Sequence, residues 1–253
     1  MLKSTFIHMP GITLRDEKIL WQGNVFDWDC FLENMNLLKL PSHKKDRIKK
    51  LICISKENYE LGNHSFFSES LPLNEHWRAF PDFSDKCCFL DIETTGLSRE
   101  RNKITTIGLY DGKQSRVFVR GKDLNEFEKI IKDYSLIVTF NGRCFDLPFI
   151  KTVFPSLNLN HLHVDLRYAL KEAGYTGGLK KIERSFGLSR DSEIGEVDGL
   201  EAVKLWHRYE RIGDTRALDK LVAYNKADVE NLKPLMEMAF ECIKRKKLSN
   251  LMD

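Results

Sequence analysis

Asp91 and Glu93 stand at the end of an apolar run. Cys87-Cys88-Phe89-Leu90 precedes them and Thr94-Thr95-Gly96 follows. Residues two apart on a β-strand project from one face. Both carboxylates therefore point the same way from a strand whose composition suits the middle of a sheet. Thr-Thr-Gly then supplies a turn where the backbone bends sharply. Two ionised acids at the end of a buried strand suffer a large desolvation penalty unless positive charge lies beside them. A divalent cation meets that need, and an all-oxygen donor set selects a hard ion such as Mg²⁺ or Mn²⁺. The expectation is a metal-dependent enzyme acting on phosphates.

Two further clusters strengthen what an isolated acidic pair would leave weak. Phe140-Asn141-Gly142-Arg143-Cys144-Phe145-Asp146 follows a strand-like run over 135–140 and precedes a short helix over 147–154. Tyr224-Asn225-Lys226-Ala227-Asp228 lies inside a long helical pattern. Tyrosine and aspartate four apart share a helix face, one turn from each other. Asp91 with Glu93, Asp146 and Asp228 thus come from three separate segments, each able to aim its acids inward. Such a set suits a two-metal phosphodiesterase site, in which two ions clamp the attacking and leaving oxygens.

At these residues the chain resembles the DEDD exonuclease superfamily, whose fold is ribonuclease-H-like. Asp91-x-Glu93 is similar to its first motif, Asn141-Gly142-x-x-x-Asp146 to its second, and Tyr224-x-x-x-Asp228 to its third. The tyrosine resembles that of the DEDDy subgroup. The DEDDh subgroup has histidine five before the last acid, and here that residue is Ala223. More narrowly, the chain resembles the YprB-type ribonuclease-H-like family through His163-Val164-Asp165-Leu166, Gly178-Leu179-Lys180 and the 201–209 helix, over about residues 85–240. The resemblance implies that Asp91 bridges both metals, that Glu93 and Asp228 complete the nucleophile-side ion, and that Asp146 holds the second ion, partly through water. It further implies that Tyr224 orients the attacking water, since a phenol of ordinary pKa near 10 is a poor base at neutral pH.

Composition bounds the rest. The 253 residues carry a formal charge of +3, so a nucleic-acid partner requires a local basic patch. Six cysteines occur with no C-x-x-C pair, which argues against structural zinc and for a reducing cytoplasm. No signal peptide and no apolar run of membrane-spanning length are read. Residues 1–82 read as a small, mainly helical N-terminal appendage and linker, with 55–86 poor in periodicity. Pro10-Gly11 before a helical pattern resembles a helix-hairpin-helix turn, but Thr13 replaces the usual second glycine and an ordinary cap is preferred. The basic run 44–50 reads as a solvated face, with a phosphate-contacting patch as the alternative. Residues 83–253 read as the exonuclease domain, an α/β mixed sheet flanked by helices. Strands are expected over 87–91, 103–110, 115–119, 136–140 and 162–166, with an Asp111-Gly112 hairpin turn and a helix over 124–134.

Substrate contacts are expected from Thr94, Thr95 and Gly96, where a terminal nucleotide would approach the backbone, and from Lys180 and Lys181 on a helix face. Phe145 either stacks on a base or belongs to the core. Asn141 either offers its amide to the scissile phosphate or satisfies a turn, the turn being preferred. Asp165 reads as a helix N-cap or a support behind the site. The leading function is a 3′–5′ exonuclease on single-stranded or frayed DNA or RNA, using two Mg²⁺ or Mn²⁺ ions. A structure-selective endonuclease and a non-catalytic nucleic-acid-binding module on the same fold are the alternatives.

Overall fold

The structure, a computed structural model, describes residues 1–38, 40–188 and 197–249. An N-terminal helical extension comes first, with α1 (Leu14–Gln22), α2 (Trp28–Asn34), α3 (Ser42–Glu60) and α4 (His64–Ser70), closed by a 3-10 segment Leu73–Ala79. Thr13 caps α1 in a reciprocal box: its hydroxyl accepts from the Asp16 amide, and the Asp16 carboxylate accepts from the Thr13 amide. Those first-turn amides are satisfied within the chain, which favours the ordinary cap over an anion grip. The 55–86 stretch is helical where a linker was expected. Elements of seven residues are too short to display a helical period, and their stability comes from packing.

The sheet follows. Its strands are β1 (Cys87–Thr94), β2 (Ile104–Tyr110), β3 (Ser115–Val119), β4 (Leu136–Thr139) and β5 (Leu162–Asp165), in the order β3-β2-β1-β4-β5. β1 pairs antiparallel with β2 and parallel with β4, and β4 pairs parallel with β5. The helices are α5 (Phe127–Ile130), α6 (Asp146–Val153), α7 (Leu166–Ala173), α8 (Leu179–Ser185), α9 (Gly199–Ile212) and α10 (Thr215–Ser249). The expected 124–134 helix is a single α-turn, α5, between two 3-10 turns. The whole is a mixed β-sheet flanked by helices with an N-terminal helical extension, the ribonuclease-H-like architecture.

Strand alternation sorts β1 between two cores. Cys88, Leu90 and Ile92 pack with Phe149 and Ile150 of α6 on one face. Cys87 and Phe89 face the other way, in a core shared with Val138, Val164, α7, α10 and the extension. Asp91 and Glu93 continue the second series, so they look toward the α10 layer. Both β1 thiols are buried, and burial pushes each pKa up, as expected of inert core cysteines.

The extension is part of that second core. The Arg78 guanidinium is fully buried, with Nε on Glu75 Oε2 at 2.6 Å and Nη1 on Glu17 Oε2 at 2.8 Å. Lys247 of α10 reaches Glu75 Oε1 at 3.0 Å, and Trp77 meets Phe240 edge-on. In the basic run Lys44 pairs with Asp16 at 3.1 Å and Ile48 is buried, while Arg47, Lys49 and Lys50 are exposed. No helix among the described residues is long and apolar enough to cross a membrane.

Candidate metal centre

Asp91 and Glu93 project from the C-terminal half of β1 onto α10, where Asp228 lies buried. One ligand oxygen from each of these three acids lies within 4.8 Å of the others. Burial first, then the charges of Asp228, Asp146 and Glu93, push the Asp91 pKa well above the ordinary carboxylate value. Burial and like charge thus destabilise the ionised form of the cluster. Asp146 arrives from the opposite layer, at the first turn of α6. Its Oδ1 accepts the Ile92 amide at 3.1 Å, the residue between the two β1 acids. Burial pushes its carboxyl up to about 7, against the lowering effect of the backbone amides it accepts. Three of the four expected acids thus converge directly. The fourth stands beside them, tied to the same strand.

Asn225 is a residue that the sequence reading did not single out. It is fully buried, and its Nδ2 donates to Asp91 Oδ2 at 2.7 Å and more weakly to the Asp91 carbonyl at 3.3 Å. It lies three before Asp228, so helical spacing puts both on one face; that spacing was the available signal. Gly108, paired with Asp91 across the ladder, makes room for the amide. A Cβ there would lie 3.0 Å from the Asn225 side chain. The Asn225 Oδ1 has no hydrogen-bond partner among the described residues, an orphaned acceptor beside a cluster of acids.

Tyr224 is buried, one turn before Asp228. It packs with Leu205, Trp206 and Leu221. The Lys180 ammonium sits 5.1 Å from its ring centroid, so this expected substrate contact is a neighbour of the tyrosine. Lys181 is exposed on α8.

The loop leading to Asp146 is held from β5. Asp165 caps α7 and accepts amides from Asn141 at 2.7 Å, Arg143 at 3.1 Å and Arg167 at 3.0 Å. This is the N-cap and supporting role read for it. Asn141 has φ +65°, a left-handed conformation uncommon for a non-glycine residue. Its side chain accepts from Arg167 of α7 at 2.6 Å. Gly142 donates to Thr139 Oγ1, and a Cβ on it would lie 2.4 Å from that oxygen. Thr139 in turn meets His163 Nε2 at 2.9 Å, and the His163 amide donates to His76 Nδ1 at 3.0 Å. His163 and His76 are thus both hydrogen-bonded within the fold.

Thr94 donates to the Gly96 carbonyl at 2.6 Å, and Asn102 ties the turn by donating to the Thr95 carbonyl at 3.2 Å. The turn is therefore ordered beside the acids. Phe145 is half-buried against Phe149, ring centroids 4.9 Å apart.

The donor set fits a hard divalent cation. It is all oxygen, and three acids converge within 4.8 Å of one another, repelling each other across a buried site. Asp91, Glu93 and Asp228 are placed to hold a cation, with Asp146 next to them.

The sequence profile described as the RNase_H superfamily matches residues 88–240. An uncharacterized protein of Methanocaldococcus jannaschii is 28% identical over 167 residues, spanning 60% of this chain and 94% of that one. Among solved structures, the family B DNA polymerase of Pyrobaculum calidifontis is 19% identical with a TM-score of 0.47, covering 60% of this chain and 24% of the polymerase. Brucella melitensis NrnC with bound Mg²⁺ is 18% identical with a TM-score of 0.46, covering 68% of this chain and 81% of that one. Escherichia coli RNase D, an exoribonuclease involved in structured RNA processing, is 18% identical with a TM-score of 0.43, covering 72% and 48%. The chain thus spans about a quarter of the polymerase it matches.

Proposed function

The chain belongs to the RNase_H superfamily, and from that premise we propose that it is a metal-dependent 3′–5′ exonuclease of single-stranded or frayed DNA or RNA. The observation that carries the reading is the convergence of Asp91, Glu93 and Asp228 within 4.8 Å on the buried α10 face of β1. The finer placement is DEDDy-like, with the YprB-type family as the subgroup. Residues 83–253 are the catalytic unit of this proposal, and residues 1–82 support it through the core they share with α7 and α10. A cytoplasmic setting agrees with cysteines that are all free.

Asp91, Glu93, Asp146 and Asp228 hold two Mg²⁺ or Mn²⁺ ions in this reading. Bound there, the ions supply Lewis-acid stabilisation of charge developing on the phosphate oxygens. The chain's own groups do the positioning. Asn225 fixes the Asp91 carboxylate through its 2.7 Å bond and so sets which oxygen faces the cleft. The Tyr224 hydroxyl aligns the attacking water by hydrogen bonding. Lys180, beside the Tyr224 ring, adds positive charge where a phosphate would lie. Thr94, Thr95 and Gly96 offer an ordered backbone edge to the terminal nucleotide, and Phe145 borders the approach.

The test is incubation of 5′-labelled DNA and RNA oligomers with Mg²⁺ or Mn²⁺, followed by product sizing. A ladder shortening from the 3′ end is expected, with a circular single strand left intact. Cleavage of the circle would favour the endonuclease alternative. Metal-independent persistence of every substrate would leave only a binding module.

A further inference from the structure

β1, β4 and β5 run parallel side by side, so their C-terminal ends form one edge of the sheet. The acids occupy the β1 part of that edge. The loop after β4 carries Asn141 and Arg143, and α7, directly after β5, exposes Arg167, Tyr168 and Lys171. Two cavities flank this helix. One, of about 930 Å³, is lined by Asn141, Arg167 and Gly177. The other, of about 330 Å³, has Trp77, Val164 and Arg143 in its wall. Tyr168 and Lys171 line both, and so form the ridge between them.

The ridge carries three cationic side chains outside any direct ion pair among the described residues. Arg143, Arg167 and Lys171 make no ion pair with a carboxylate among the described residues, whereas Arg116, Arg208 and Lys247 each have one. Asp165 and Glu172 line the smaller cavity as well, but their oxygens are turned to other partners, Glu172 to Lys247 at 3.2 Å and Asp165 to three backbone amides. Arg167 is also pre-ordered. Its Nη1 is fixed at 2.6 Å on Asn141 Oδ1, and Asn141 is kept in its left-handed conformation by the bond from its own amide to Asp165. Backbone strain of this kind persists only where surrounding structure enforces it. Between the cations stands an aromatic ring, Tyr168, 41% exposed and 6.0 Å from the Arg143 guanidinium.

A cationic track with an exposed aromatic is the chemistry that binds single strands: phosphates meet the cations, and an unpaired base stacks on the ring. A duplex keeps its bases stacked inside and leaves such a ring unused. We propose that α7 and the 141–143 loop guide the strand on the 5′ side of the bond being cut, with Arg167 and Lys171 on phosphates and Tyr168 under a base. This rests on the exonuclease reading above and names the surface that would feed that site.

The experiment is fluorescence anisotropy with a 5′-labelled single-stranded DNA oligomer of about 12 nucleotides, its linkages phosphorothioate to prevent turnover. Mn²⁺ is present and salt is varied from about 50 to 200 mM. Arg167→Glu/Lys171→Glu should weaken binding at least about 10-fold at low salt. It should flatten the salt slope by about 1.4, two contacts at about 0.7 each. Lys171→Glu alone, which disturbs no hydrogen bond, should remove about half of that slope change. Tyr168→Ala should weaken binding roughly 5- to 100-fold, and Tyr168→Phe should restore it. Lys129→Glu/Lys132→Glu, on the opposite layer of the sheet, controls for net charge and should match the parent. Folded α7 variants that keep the parent's affinity and slope overturn this surface while leaving the exonuclease reading standing. A parent that binds no oligomer overturns both. A parent that holds a polyglutamate peptide as tightly as the oligomer overturns the assignment to nucleic acid.

Discussion

Asp91→Asn should stabilise the metal-free protein. One oxygen each of Asp91, Glu93 and Asp228 lies within 4.8 Å of the others. At an effective dielectric of about 20, two unit charges at that separation repel by about 3.5 kcal/mol. The asparagine removes the charge and keeps the shape, and its amide oxygen still accepts from Asn225. Burial and its neighbours raise the Asp91 pKa, the sign expected of a carboxylate that the fold destabilises. The net gain should therefore be roughly 1–3 kcal/mol at pH 8, or about 3–10 °C for a chain of this size. The sign with pH follows. A carboxyl whose folded pKa lies above its unfolded value contributes stability at low pH and loses it as pH rises through the folded pKa. For Asp146 that window runs from the ordinary 3.8 up to about 7. The parent in chelator should thus be less stable at pH 8 than at pH 5, and the Asp91→Asn gain should shrink at pH 5. Mn²⁺ at about 100 times its dissociation constant should stabilise the parent by about 2.7 kcal/mol and the variant by far less. Thermal melts in chelator and in Mn²⁺ at the two pH values provide the assay. A variant that melts below the parent in chelator at pH 8, or gains as much from Mn²⁺, would refute this account of the cluster.

Tyr224→Phe keeps the ring packing, so its melting point should match the parent while turnover of a labelled oligomer falls roughly 10- to 1000-fold; unchanged turnover would make Tyr224 purely structural. Gly142→Ala would force a Cβ to 2.4 Å from Thr139 Oγ1, and chemical denaturation should show a loss of about 1–3 kcal/mol together with reduced hydrolysis as the Asp146 loop shifts. Arg78→Ala would strand the buried Glu17 and Glu75 carboxylates, lowering stability by about 3–5 kcal/mol in the same assay, and a loss under about 1 kcal/mol would contradict the buried triad.

Some of this molecule was open to reading from its residues and some was not. The β1 strand was legible because its two-residue alternation and its apolar lead-in agree, which put Asp91 and Glu93 on one face. Asp228 was legible from its tyrosine one turn earlier. Asp146 was harder: spacing placed it after β4, but not in the layer opposite α10, so its bond to the Ile92 amide came only with the fold. Asn225 escaped because an asparagine in a helix usually faces water, and only the opening left by Gly108 on another strand buries it. Arg78 escaped for a similar reason. Its Glu17 partner lies 61 residues away, and no local pattern marks a buried arginine. The short helices after residue 60 were unreadable because seven residues carry too few apolar positions to establish a period.

The central claim is that Asp91, Glu93 and Asp228, with Asp146 beside them, hold the cations that hydrolysis requires. The most direct measurement is a crystal soaked in Mn²⁺, at a concentration that supports oligomer cleavage, with the ions located by anomalous scattering. The account predicts peaks ligated by the oxygens of Asp91, Glu93 and Asp228, one of them shared through Asp91, and no such peaks in Asp91→Asn crystals. Cleavage-competent Mn²⁺ bound elsewhere, with these carboxylates bare, would contradict it.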